Sequence, residues 1–167
     1  TEQLSINYKA LINAVRVMKQ QILKSRYSTN PRFVVHNSTN KNMSWDIVLF
    51  NSKQKIESVE ELNEEQLEST DFSSLLEKQF DGVEKDGKHR RLIGKGFTIE
   101  YFTEEKPASN MMLSIYGENG LYALIEMAKK HGWQIFDTVL SEMINLENPE
   151  MNGYKNHQEY VQYLLEK

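Results

Sequence analysis

Between residues 114 and 138 the chain reads SIYGENGLYALIEMAKKHGWQIFDT, and this stretch restricts the available folds more than any other. Apolar and polar residues alternate up to Gly117. Leu121, Leu124, Ile125 and Ala128 then recur at helical spacing, and Gly132 separates them from a second extended run, WQIFDT. The first period is that of a strand, the second that of a helix with one apolar face. Gly132 stands where a left-handed C-terminal cap belongs. The expected order is strand, glycine turn, helix, cap, strand.

Strand, glycine turn and helix in succession is also the setting of many phosphate sites. A P-loop needs GxxxxGK[ST], in which backbone amides cradle the phosphates, Lys reaches them and a hydroxyl takes magnesium. Here the turn is GENG, and Leu121 and Tyr122 stand where Lys and Ser/Thr would be required. Glu118 places a negative charge at the positive end of the helix, which favours the helix and repels an anion. GxGxxG is absent as well. The glycines are expected to serve backbone geometry, with no phosphate bound.

The remaining elements follow from the same periodicities. Leu4, Tyr8, Leu11, Val15, Met18 and Ile22 make an apolar stripe that predicts an N-terminal amphipathic helix ended by STNP. RFVVHN and SWDIVLFN, around a polar loop, predict an antiparallel strand pair. STDFSSLLEKQF offers a cap and a short helix with Phe72, Leu75, Leu76 and Phe80 on one face. DGVEKDGKHRRLIGKG reads as a loop or an exposed hairpin, and FTIEYFT with NMMLSIY as a second antiparallel pair. EMINLENP suggests one more strand, and a capping-box spacing of Asn156 and Glu159 predicts a closing helix. Strand pairs followed by helices indicate an α+β fold, a mainly antiparallel sheet with helices packed on it. At 167 residues, one domain spanning 1–167 is the simplest organisation.

The composition narrows function mainly by exclusion. No apolar run approaches the roughly 18 residues needed to cross a bilayer, so no membrane partner is expected. The first residues lack a basic segment followed by an apolar one, so no signal peptide is expected and the cytoplasm is the expected compartment. The chain contains no cysteine, which removes thiolate nucleophiles and cysteine-ligated metals and leaves the periplasm open. A net charge of −4 is not the basic footprint of a nucleic-acid binder.

Several residues are nonetheless candidates for chemistry. His36, His89, His131 and His157 are far apart and show no HExxH-like or HxH spacing, so no metal site is expected. GxSxG and SxxK do not occur. Asp46 and Glu100 lie in strand-like runs and would resemble a glycosidase pair if brought together, although alternation is expected to send each to solvent. The basic cluster Lys85, Lys88, His89, Arg90, Arg91 and Lys95 lacks interleaved aromatics for base stacking. It suits a solvated hairpin tip or a mate for an acidic segment better than a nucleic acid.

That acidic segment is the most distinctive charge feature. From Ile56 to Asp71 the chain reads IESVEELNEEQLESTD, with Glu57, Glu60, Glu61, Glu64, Glu65, Glu68 and Asp71 and no base. Like charges this dense oppose a helix and favour an exposed, extended segment over 56–71. It is expected either to solubilise the protein or to meet a basic partner, speeding capture electrostatically.

The stretch MMLSIYGENGLYALIEMAKKHGWQIFDTVLSEMINLENPEMNGY, residues 111–154, resembles segments of small bacterial proteins that include immunity proteins against toxins delivered between bacteria. The resemblance rests on a cadence, strand-GxxG-helix-GWQIFDT-strand-NP, and on no catalytic motif. It implies a small, acidic, single-domain, non-catalytic protein that blocks a toxin by binding it, and since no metal or phosphate motif is present, no cofactor is expected. The expected function is thus protein binding through the seven acidic residues above. An enzyme of unrecognised type, or an accessory subunit, with a site assembled from distant residues is the alternative.

Overall fold

The computed structural model describes residues 44–58, 62–117 and 119–151. The expected helix at 4–23, the run at 32–37, the closing helix from Asn156, and Glu60, Glu61 and Glu118 lie outside the described residues. So does much of the expected single domain over 1–167.

The described residues form an α+β unit built on a seven-stranded antiparallel sheet. Its strands are β1 (Trp45–Asn51), β2 (Gly82–Asp86), β3 (His89–Gly94), β4 (Phe97–Phe102), β5 (Asn110–Tyr116), β6 (Trp133–Asp137) and the short β7 (Glu142–Met143). They lie in the order β2-β3-β4-β5-β1-β6-β7. Two helices accompany them, α1 (Phe72–Gln79) and α2 (Asn119–His131). None of the described helices is long and apolar enough to cross a membrane.

β1 departs from expectation. It is not one arm of a hairpin with the run at 32–37, because both its edges are taken, by β5 and by β6. The reason is in its composition: Ile47, Val48, Leu49 and Phe50 form a continuous apolar run, and all are buried. Such a run suits a central strand covered on both faces, whereas a half-exposed hairpin arm would alternate. β5, with five consecutive buried residues, is central for the same reason.

One sheet face carries Trp45, Ile47, Leu49, Leu92, Ile99, Met111, Leu113, Ile115, Trp133 and Ile135, which form one apolar core with α1 and α2. α1 contributes Phe72 and Leu76, with Leu75 and Phe80 partly buried against the cluster. The Phe72 and Trp133 rings lie 4.8 Å apart. α2 runs over β4, β5 and β6 and buries the expected Leu121, Leu124, Ile125 and Ala128, with Gly120 and Met127 in addition. Lys129, Lys130 and His131 occupy its last turn, where cations complement the helix dipole. Gly132 follows at φ +71°, the left-handed cap the sequence suggested. The basic stretch proves to be a hairpin, β2 and β3, at the open edge of the sheet. FTIEYFT and NMMLSIY pair as β4 and β5.

Candidate functional site

The glycine turn is occupied by protein. Gly117 adopts φ +90°. A side chain there would run into the Gly96 carbonyl oxygen and reach within 3.1 Å of Phe97 Cα. A Cβ at Gly120 would lie 2.6 Å from Ile115 Cγ2 and 3.2 Å from Phe97 Cδ2, and one at Gly94 would enter the Phe97 ring. The three glycines clear a seat for the β3–β4 turn and its Phe97, whose ring also meets Phe80 edge-on at 6.0 Å. Asn119 Nδ2 donates to the Lys95 carbonyl across the same contact. The turn binds its own neighbour, and backbone approach is the physical reason for its glycines.

The described parts of the acidic segment, on either side of residues 59–61, are held by specific bonds. Ile56 is buried and its N–H donates to Gln134 Oε1 at 2.7 Å. Asn63 caps a single 3-10 turn, Glu64–Gln66, and Leu67 bridges to Ser52. Glu57, Glu64, Glu65, Glu68 and Asp71 are all exposed. Their surroundings differ. Glu57 pairs with Lys55 and Glu68 with Lys53, both in the open, where such pairs contribute little. Asp71 is the N-cap of α1, accepting from the Ser74 hydroxyl at 2.6 Å and the Ser74 amide at 3.0 Å. Those two bonds hold its carboxyl below the usual range. Glu64 and Glu65 make no ion pair with any described residue.

Among the described residues Lys85, Lys88, Arg90 and Arg91 pair outside this segment, against the reading of the cluster as its mate. Lys85 and Arg90 both bind Glu77 of α1, Lys88 binds Glu105, and Arg91 lies between Glu84 and Glu100. All four acceptors lie outside residues 56–71. Glu77 ties α1 to β2 and β3. Burial, the largest single influence on its carboxyl, pushes the pKa up, but the bonds from Lys85 and Arg90 together outweigh it and hold it below the ordinary value. Stability from a depressed carboxylate is complete above its unfolded pKa and is lost as pH falls through the folded one. Glu77→Gln should therefore cost about 1–2 kcal/mol at neutral pH. In urea melts that difference should narrow as pH falls below the ordinary glutamate range and through the depressed value of the folded state, where the wild type loses the charge as well.

Asp46 and Glu100 do share a face, on strands that are not adjacent. β5 separates their strands, and the register places Asp46, Ser114, Glu100, Arg91 and Glu84 in one row across β1, β5, β4, β3 and β2. Neither carboxylate is freely exposed to solvent. Ser114, 2% exposed, donates to Asp46 Oδ1 at 2.7 Å. Glu100 faces Arg91 Nε and His89 Nε2, each at 3.6 Å. The strands that carry them stand two strand spacings apart, about 10 Å. Each is matched by a neighbour, and the serine between them is out of reach of a substrate. The arrangement locks strand register. Among the described residues no group of three or more His, Asp or Glu is placed to hold a metal ion.

Two buried polar groups had no signal in the sequence. Asp137, at 0% exposure, accepts from Trp45 Nε1 at 2.8 Å and from the amides of Val139 and Leu140. It fixes the turn from β6 to β7, in which Ser141 takes φ +58°. Tyr101, 1% exposed, has a hydroxyl without a hydrogen-bond partner among the described residues. Burial, with Glu77 adding to it, pushes this phenol well above its ordinary pKa. An orphaned buried hydroxyl costs about 1–3 kcal/mol. Tyr101→Phe should accordingly leave the melting temperature unchanged or raise it, and a loss above about 1 kcal/mol would mean the hydroxyl has a partner.

Another feature comes from distant sequence. The amide of Thr70 donates to the Ala108 carbonyl at 2.9 Å, and the amide of Ala108 returns the bond at 3.1 Å. This bridge brings the β4–β5 loop, with exposed Glu104 and Glu105, beside Asp71 along a shallow cleft that also includes Ser73 and Lys106. The acidic surface is thus wider than the segment that announced it.

No protein-family model matches this sequence, and comparisons with curated proteins and with solved structures return no match either.

Proposed function

We propose that the protein is a non-catalytic binding module of the cytoplasm whose acidic surface docks a basic protein, and that this partner is a toxin domain it neutralises. One observation supports the reading above the others. The fold directs its clustered bases to Glu77, Glu84, Glu100 and Glu105, so Glu64 and Glu65 stand exposed on a capped turn without a described cation partner. A charge excess held on a fixed turn loses little entropy on binding and attracts an oppositely charged surface at long range. The toxin is suggested by the likeness of residues 111–154 to immunity proteins.

The test is capture from cells of the source organism with tagged protein. Wild type should retain a basic protein at low salt. The Glu64→Lys, Glu65→Lys double variant should retain much less while keeping the wild-type circular dichroism and melting temperature. Equal capture by both would remove these two residues from the interface, and turnover of a substrate by the isolated protein would overturn the non-catalytic reading.

A further inference from the structure

We draw no further inference here: the strongest candidate, the shallow cleft between the start of α1 and the β4–β5 loop with Asp71, Glu104 and Glu105 along it, is an acidic cluster continuous with the surface already described, and no second feature of the structure points to a ligand in it.

Discussion

Alanine at Asp137 is expected to cost about 3 kcal/mol or more of folding stability. The carboxylate is fully buried and satisfies three donors: the indole N–H of Trp45 and the amides of Val139 and Leu140. Trp45 is itself 3% exposed, so its N–H would have little access to water. Orphaning one buried donor costs about 1–3 kcal/mol. The two amides lie in a partly exposed turn and would recover some hydration, which limits the total. Asp137→Asn keeps one acceptor oxygen and turns an NH2 group toward the other donors, so it should cost less than alanine. Urea melts of the two variants measure both. An alanine variant within about 1 kcal/mol of wild type would show that the Trp45 bond adds little.

The second large effect is expected at Gly117, where alanine should cost about 3 kcal/mol. A left-handed residue with a Cβ costs about 1–2 kcal/mol from backbone strain alone. The Gly96 carbonyl oxygen stands in the path of the new methyl group. Being backbone, it cannot turn aside as a side chain would, so overpacking adds about 1–3 kcal/mol. Gly132 supplies the control. It is also left-handed, at φ +71°, but a Cβ there meets nothing within 4 Å. Gly132→Ala should therefore show the strain alone, about 1–2 kcal/mol. The comparison isolates the contact between the two turns, and equal costs at the two glycines would mean that contact is not tight.

What could be read from the sequence was what local chemistry decides. The stripe of α2, its cap at Gly132, the capped helix α1 within STDFSSLLEKQF and the β4–β5 pair all depend on residues near one another in the chain. Periodicity and capping report such neighbours directly. The strand order was not legible, since Ile47–Phe50 signals burial on both faces without naming the strands beside it. β5 and β6 come from more than 50 residues later. Nor was the work of the glycines at 117 and 120, because the Phe97 ring they accommodate sits on a different turn. Within the candidate site, the charge density of residues 56–71 was plain. The diversion of the hairpin bases to Glu77 and Glu105, and the arrival of Glu104 and Glu105 through the Thr70–Ala108 bridge, were not. Each depends on pairings between distant parts of the chain, for which a single sequence carries no local signal.

The central claim is that Glu64 and Glu65 on their capped turn steer a basic partner onto the protein. Its most direct test is the association rate of the captured partner, measured by stopped flow for wild type and for the Glu64→Lys, Glu65→Lys variant across a range of salt. Electrostatic steering accelerates association by about tenfold or more at low ionic strength, and screening shortens its reach to roughly 3 Å at 1 M salt. The account predicts that the variant associates at least about tenfold more slowly at low salt and that the two rates converge as salt rises. Equal rates at every salt concentration, with the fold of the variant intact, would contradict it.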